Sequence, residues 1–471
     1  MANIDLKQEL KADVNEFIGK TFSDPIVVSF TDLKKISRLV FKDCTFKETM
    51  IFEGIDDPGF YLTFHNCWFE SDVRILRCEF KEIQISHIKN LTSIEIYAGI
   101  HDVIRISSND EPISGDLNID CRIGDKLDCS NLNFSKGNFT LSLRNKITDS
   151  FDFTSSFKNA TFYLCNFSNS YLGSDADFRN FTVITTAFFD QCDFKKIHFS
   201  DANLGIDSYF NDCKFHSFSG FENCTNIERT RLYYRSCLFK SFPHFNNSKF
   251  NHFEITHTTF LRKASFDGIE VNTLKLYQVS FHEEAFFDDI SIHDIGECDK
   301  TSLRTVKQEL QKTENKIDFN RFRVYEFNAY RKDIRKKLTL FQKDKKFFLF
   351  YITKEPLRLQ RDVFVLWISD IVSEYGTDWK KALKFTLFWG FVIYSIFFIC
   401  ENYSYPFDWK NWQQFPIGLI RFFLVTDFYS PLAKDRVYLE SFASWIPFIA
   451  GKIVIAFGIY EMIQSFRKFR A

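Results

Sequence analysis

The stretch AFFDQCDFKKIHFSDANL, residues 187–204, places large apolar residues five positions apart, at Phe189, Phe194, Phe199 and Leu204. An α-helix repeats about every 3.6 residues and an ordinary strand about every two. Neither backbone produces a spacing of five over successive positions. The chain here is therefore expected to follow a course that changes direction every five residues.

The residue two places before each large apolar residue is apolar and mostly small. In the quoted stretch these residues are Ala187, Cys192, Ile197 and Ala202. The same small-x-large-x-x unit recurs upstream, with its large residues at Phe157, Phe162, Phe167 and Leu172. Two inward residues in every five suit a four-sided coil of about twenty residues, whose neighbours pair like parallel strands about 4.8 Å apart.

At these residues the chain resembles the pentapeptide-repeat family, and the resemblance implies a right-handed quadrilateral β-helix. A second signature is Cys-x-Phe, which begins at Cys44, Cys67, Cys78, Cys165, Cys192, Cys213 and Cys237. Cysteine in the small position is most simply a buried hydrophobe. Residues 1–20 lack the basic and apolar regions of a signal peptide, so reduced thiols in the cytoplasm are expected.

The pattern divides the chain into five parts. We predict an N-terminal helical cap over 1–35 and a β-helix over 36–300, irregular at 89–150, where the repeat nearly disappears and segments alternate like common strands. A basic helical linker over 301–346 follows, because apolar residues there recur at helical intervals. Interfacial amphipathic helices are predicted over 347–379, and a membrane domain over 380–471.

Charge divides the chain in a similar way. Residues 1–300 carry 32 basic and 44 acidic residues, whereas residues 301–471 carry 28 basic and 17 acidic ones. The linker contains a basic run at Arg331, Lys332, Arg335, Lys336, Lys337, Lys343, Lys345 and Lys346. This run is either a solvated helix face or a patch for anionic lipid, which attracts each Lys or Arg by about 1 kcal/mol.

Two apolar segments are long enough to cross a bilayer, about 382–401 and about 442–464. Between them, a re-entrant segment is predicted at about 412–430, because it is apolar but too short for a full span. Basic residues precede the first span and follow the second. The positive-inside rule therefore predicts cytoplasmic N- and C-termini in a multi-pass protein of the bacterial inner membrane.

A second resemblance concerns this membrane region. Its order of interfacial helix, span, re-entrant segment and span resembles the two-transmembrane pore of ion channels. It also resembles membrane-anchored pentapeptide-repeat proteins, through SEYGTDW (373–379) and YEMIQSFRKF (460–469). A potassium filter needs glycines so that its carbonyl groups face the ion. Residues 425–430 read VTDFYS, which argues against potassium selectivity by that mechanism.

The candidate pore and selectivity residues are Lys452, Arg421, Thr426 and Asp427. A charge at the middle of a span costs about 2.5–3.5 kcal/mol on insertion scales, so Lys452 should face water or other protein. It either lines an oligomeric pore, which would favour anions, or forms a buried pair with Asp427 or Glu461, or lies in a span placed one turn differently. Arg421 is equally ambiguous.

Three classes of function remain. The first is a cytoplasmic β-helix that senses an unknown protein ligand and is coupled to an oligomeric ion-channel-like pore. The second is a membrane-tethered interaction scaffold without conduction. A membrane-active effector of bacterial antiphage defence is a further alternative, because such effectors share the arrangement of a sensor and a membrane hairpin. The third, an acidic DNA mimic, comes from the pentapeptide resemblance, and membrane tethering argues against a nucleic-acid role. The sequence contains no Walker A loop, His-Glu-x-x-His, Gly-x-Ser-x-Gly or dinucleotide-binding glycine pattern, and no cysteines or histidines at metal-ligand spacing. No catalytic, cofactor or metal site is therefore predicted.

Overall fold

The computed structural model describes residues 5–33, 36–108, 112–145, 152–343, 354–404, 412–433 and 437–467. The chain forms two compact units, Met1–Thr313 and Glu314–Ala471.

The first unit is a β-solenoid of parallel strands stacked in coils. Its first ten strands are β1 Glu16–Ile18, β2 Thr21–Phe22, β3 Ile26–Ser29, β4 Arg38–Lys42, β5 Thr45–Phe46, β6 Met50–Glu53, β7 Asp56–His65, β8 Trp68–Phe69, β9 Val73–Leu76 and β10 Glu79–Ile88. The middle of the solenoid contains β11 Ser93–Ser108, β12 Asp116–Asp128, β13 Asn133–Leu143, β14 Thr154–Ser156, β15 Thr161–Asn166, β16 Asp175–Asp177, β17 Thr182–Asp190, β18 Asp193–Phe194, β19 Ile197–His198, β20 Asp207–Asn211 and β21 Lys214–Phe215. The last part contains β22 Ser219–Gly220, β23 Thr225–Arg235, β24 Leu238–Phe239, β25 Pro243–His244, β26 Lys249–Thr256, β27 Thr259–Phe260, β28 Ala264–Ser265, β29 Glu270–Tyr277, β30 Ser280–Phe281, β31 Ala285–Phe286 and β32 Ser291–Ile292.

The strand register confirms the predicted length of a coil. Along one side of the solenoid, each paired residue follows its partner by 21 or 24 positions, in the order Phe194, Phe215, Phe239, Phe260 and Phe281. Phenylalanine rings that are one coil apart therefore stack directly on each other. Coil length and strand pairing together produce a continuous column of rings.

Those rings fill the axis of the solenoid. Phe189, Phe194, Phe199 and Leu204 are all at most 1% exposed, as the spacing of five predicts. The rings of Phe189 and Phe210 stack with centroids 4.5 Å apart, and those of Phe215 and Phe239 stack 4.2 Å apart. Offset-stacked aromatic pairs add about 0.5–1.5 kcal/mol beyond the burial of their area.

The small positions also face inward, and the cysteines there are buried free thiols. The Cys213 Sγ–H donates to the Phe189 carbonyl (2.9 Å), and the Cys237 thiol donates to that of Phe210 (3.1 Å). Burial raises the pKa of the Cys78 thiol to about 11 and that of Cys224 to about 12. These thiols therefore stay protonated and act as small packing groups.

The corners of the coils use residues with positive φ. Asn131, Asn159 and Asn180 occupy one corner in successive coils, with φ between 55° and 57°. Asparagine tolerates this left-handed conformation better than most residues. The Asn159 Nδ2 group donates to Asn131 Oδ1 (3.0 Å), and the Asn180 Nδ2 group donates to Asn159 Oδ1 (3.2 Å). The corner is therefore held by a ladder of side-chain amides.

The start of the solenoid differs from the predicted cap over 1–35. The described part of that range contains the short helix α1, Leu6–Lys11, and one turn of 3-10 helix, Phe30–Asp32, and the first strand begins at Glu16. Phe17 and Phe22 are five residues apart and both are buried. Their rings pack on the ring of Phe41 in the next coil, at 5.4 and 5.8 Å. The spacing of five thus already operates within the segment assigned to the cap.

Residues 89–150 continue the solenoid with longer sides. The strand β11 has 16 residues, and its pairing with β12 shifts register twice. Residues 109–111 and 146–150 of this region lie outside the described residues. His101, fully buried in β11, packs against Phe80 with ring centroids 5.6 Å apart. Burial lowers the pKa of His101 to about 3, so its imidazole is neutral.

The helix α2, Lys300–Lys312, covers the last coil. Ser302 Oγ accepts a hydrogen bond from the Leu276 amide (2.7 Å), and Glu309 Oε2 accepts one from the Ala285 amide (3.3 Å). These acceptors satisfy strand amides that have no further coil to pair with. A helix placed in this way ends the stacking of strands.

The second unit consists of helices. They are α3 Lys316–Lys343, α4 Lys354–Ser373, α5 Trp379–Ser404, α6 Gln414–Phe423 and α7 Phe442–Arg467. The predicted spans lie within α5 and α7, and the predicted re-entrant segment contains α6.

Candidate functional site

The two long apolar helices α5 and α7 contain candidate membrane spans, at Trp379–Asn402 and Phe442–Phe466. At about 1.5 Å per residue, either segment exceeds the roughly 30 Å hydrocarbon core of a bilayer. Their outer faces carry exposed apolar side chains, among them Phe388, Ile399, Ile446 and Ile453. The two helices therefore have the length and the surface of a membrane hairpin.

Glycines allow these helices to approach each other closely. A Cβ atom on Gly458 of α7 would collide with the Thr386 hydroxyl of α5, and one on Gly451 would collide with the Phe422 ring of α6. Further along the pair, the rings of Phe397 and Phe448 lie 5.8 Å apart. Small residues at helix contacts are the usual means of association within membranes, where lipid removes the hydrophobic driving force.

The short helix α6 packs against both long helices. The Tyr394 hydroxyl of α5 donates to the Phe415 carbonyl (2.8 Å), and Gly418 lies directly against that hydroxyl. On the other side, Phe422 is fully buried against Phe448 of α7, with ring centroids 5.9 Å apart. Ten residues of helix extend about 15 Å. The C-terminal end of α6 therefore reaches about the middle of α7.

Lys452 lies at that level, ten residues after the start of α7, and is 4% exposed. Its Nζ group donates to the carbonyl oxygens of Phe422 (3.0 Å) and Leu424 (2.6 Å). The ammonium also lies over the ring of Phe448, 5.0 Å from its centroid. Cations are stabilised at the C-terminal end of a helix by its free carbonyl groups. Lys452 of α7 thus binds the C-terminal end of α6.

The partners of Lys452 differ from the two carboxylates considered from sequence. Glu461 accepts a hydrogen bond from the Ser373 hydroxyl (2.5 Å), and Asp427 accepts one from the Tyr429 amide (3.1 Å). Neither forms an ion pair with Lys452 among the described residues. The described hydrogen-bond partners of Lys452 are thus the carbonyl groups at the end of α6, while Asp427 lies near enough to act on its ammonium group electrostatically.

The other candidate residues surround the segment that follows α6. The Arg421 Nη1 group donates to the Ala433 carbonyl (2.7 Å), which ties the returning chain to the helix. Thr426 is exposed, as are Leu424 and Phe428 on either side of it. Lys452 and Arg421 therefore hold opposite ends of residues 424–433, and Thr426 projects from the middle. The four candidate residues do not converge on a single point.

The basic run is only partly available as a surface. Arg335, Lys336 and Lys337 are exposed on α3. Arg331 instead pairs with Asp370 of α4 (2.7 Å) and is half-buried. The side chain of Lys343 and both Lys345 and Lys346 lie outside the described residues.

The SEYGTDW segment forms a tight turn between α4 and α5. Glu374, Tyr375 and Gly376 have φ values of 50°, 58° and 78°, three successive residues in the left-handed region. The Tyr375 hydroxyl donates to Asn328 Oδ1 of α3 (3.0 Å), and burial raises the pKa of this hydroxyl. Such strain persists only where neighbouring contacts over-determine the conformation.

This turn also contacts both membrane helices. Ser373 is bonded to Glu461 near the end of α7, and the ring of Trp379, the first residue of α5, lies 5.5 Å from that of Phe466. Because Tyr375 of this turn is bonded to Asn328 of α3, a displacement of α3 would be transmitted to the same end of both spans. The sequence marks this segment by its resemblance, but its contacts are evident only in the structure.

Comparisons of the chain with models of protein families, with curated proteins and with solved structures found no match. The parallel β-solenoid and the two long apolar helices are thus known from the structure itself. The resemblance to pentapeptide repeats therefore rests only on the spacing of residues in the sequence.

Proposed function

We propose that the protein is a membrane-anchored ion pathway formed by several copies of the chain, with the β-solenoid as its cytoplasmic binding module. The observation that carries this proposal is α6, a short helix that packs against two span-length helices and ends beside the middle of α7. A short helix followed by a returning segment is the arrangement of a pore loop. Non-helical backbone at membrane depth is tolerated where it is buried in protein or lines a water-filled cavity.

The requirement for several copies follows from geometry. Two helices enclose no passage, so an ion pathway needs a closed ring of subunits. Leu424 and Phe428 are 54% and 52% exposed, and Thr426 between them is exposed as well. In this proposal, the segment 424–428 of each copy faces the central pathway. The exposed Ile399 and Ile453 face lipid or neighbouring copies.

The solenoid has a surface suited to a binding module. The rings of Phe188, Tyr209 and Tyr233 stack along one face, 5.4 and 4.8 Å apart. The Arg235 guanidinium lies over Tyr233, 5.0 Å from its centroid. Tyrosine and arginine are enriched at protein interfaces. We propose that an unidentified protein ligand docks on this face.

Reporter fusions test the proposed topology. A reporter that is active only in the cytoplasm is expected to work after Ala471 and before Met1, and to fail when inserted near Trp409. The reason is the clustering of basic residues on the outer flanks of both spans. Activity near Trp409 with none after Ala471 would reverse the proposed orientation.

Thiol modification during planar-bilayer recording tests the pathway. In a Cys400→Ser background the remaining eleven cysteines are buried, so a new cysteine is the accessible thiol. We expect a charged thiol reagent to reduce the current through Thr426→Cys strongly. The matched control is Ile453→Cys, at similar depth on the outer face of α7 and 64% exposed.

Equal effects at both positions, or no effect at Thr426→Cys, would show that residues 424–428 do not line the pathway. The absence of current from the wild-type chain would favour the second candidate, a membrane-tethered scaffold. One observation supports that candidate: the Lys452 charge is satisfied within a single chain, so the bundle needs no water-filled pathway to exist.

A further inference from the structure

The last turn of α5 buries a carboxylate. Glu401 is 8% exposed, and its Oε2 atom has no hydrogen-bond partner in the part of the chain that the structure describes. Glu401 also forms no ion pair with any residue that the structure describes. Burying an ionised carboxylate without compensation is very costly, so this group requires a proton or a cation.

A second polar group lies unpartnered on the facing helix. Ser444, the third residue of α7, is fully buried, and its Oγ atom has no hydrogen-bond partner among the described residues. Both lone pairs of this oxygen are therefore available to a ligand.

The packing of α5 on α7 puts these two residues at the same level of the helix pair. The Phe397 ring of α5 contacts the Phe448 ring of α7, with centroids 5.8 Å apart. Glu401 lies four residues after Phe397, and Ser444 lies four residues before Phe448. Because the helices are antiparallel and residues four apart share a face, both polar groups lie one turn beyond that contact.

The electrostatic environment at this end of the pair disfavours an anion. Among the described residues α5 ends at Ser404, so the carbonyl groups of its last turn have no intrahelical partners, and a helix dipole places negative potential at its C-terminal end. A carboxylate adds to that potential, whereas a cation is attracted by the carboxylate, the carbonyl groups and the hydroxyl together. Oxygen atoms of these three kinds are the usual ligands of hard cations.

We infer that Glu401, Ser444 and the last-turn carbonyl groups of α5 form a binding site for a monovalent hard cation of the sodium type. One carboxylate neutralises one positive charge, so the occupied site is neutral in its apolar surroundings. Calcium and magnesium sites generally draw on more carboxylates or retain several waters. Half-helix C-termini are also known to coordinate sodium in membrane proteins. The inference does not depend on conduction by the bundle.

Thermal unfolding of the detergent-solubilised full chain tests the site. We expect sodium chloride to raise Tm in a saturable way, with no such rise in choline chloride of equal ionic strength, because a ligand that binds the folded state stabilises it. The rise should be lost in Glu401→Gln, which keeps the shape of the side chain. The matched control is Glu440→Gln, an exposed carboxylate shortly before α7.

Ser444→Ala provides a second, independent variant. Its apparent sodium affinity should fall by about ten-fold, the loss expected when one supporting group of a metal site is removed. An equal sodium response in wild type and Glu401→Gln, or an unchanged affinity in Ser444→Ala, would overturn the inference. So would a wild-type Tm that changes with pH but not with sodium, because Glu401 would then be a protonated acid.

Discussion

The β-solenoid is expected not to fold when Phe194 is replaced by aspartate. The Phe194 ring is 1% exposed and stacks on the ring of Phe215 with centroids 5.0 Å apart. Removing a buried phenylalanine costs about 3–5 kcal/mol, and burying an unpaired carboxylate in its place costs several more. This total is comparable with the whole stability of a typical domain, about 5–15 kcal/mol.

An outward-facing phenylalanine on the preceding strand supplies the control for the Phe194→Asp variant. Phe188 is half-buried on the outer face of β17, where it stacks on Tyr209, 5.4 Å away. Phe188→Asp should cost far less, because the new carboxylate reaches water. Circular dichroism and thermal unfolding of both variants in the full-length chain would measure the difference. Similar Tm values for Phe194→Asp and Phe188→Asp would refute the inward assignment of Phe194.

The solenoid could be predicted from sequence because its repeat is local. Each side of a coil contributes its own small and large residue, so Phe189, Phe194 and Phe199 reveal the period without knowledge of distant contacts. The start of the solenoid was missed because Phe17 and Phe22 form only one interval of five, too short to establish a period. Residues 89–150 escaped the pattern because β11 and β12 form longer sides with shifted register.

The membrane helices were also predictable, since length and apolar composition are local properties. The partners of Lys452 could not be predicted, because every residue has a backbone carbonyl group and the sequence does not show which of them a lysine will reach. Their position depends on where α6 ends and how deeply it packs, which Gly418 and Gly451 decide by allowing close approach. Glu401 went unnoticed for a related reason. A carboxylate at the edge of a span appears solvated until the facing helix buries it.

Removing the charge of Lys452 is expected to release α6 from α7. In Lys452→Met the Phe422 carbonyl loses its ammonium donor, and a buried unsatisfied group costs about 1–3 kcal/mol. The Leu424 carbonyl loses one of two donors, because the Asp427 amide also donates to it (3.1 Å). Lys452→Glu should be more damaging, because a carboxylate would face the negative end of α6. Thermal unfolding of the detergent-solubilised chain should show both losses, with the glutamate variant the less stable.

The control is Lys384→Met, which removes an exposed lysine from α5 and should leave Tm nearly unchanged. Reversal potentials in a salt gradient distinguish the anchoring role of Lys452 from a pore-lining one. If Lys452 lines the pathway, Lys452→Met would alter ion selectivity while stability stays at the wild-type value. If Lys452 anchors α6, as its 4% exposure and two carbonyl partners indicate, stability falls first. Any loss of current in Lys452→Met would then follow from a displaced segment 424–428, and reaction of Thr426→Cys with thiol reagents would change in the same variant.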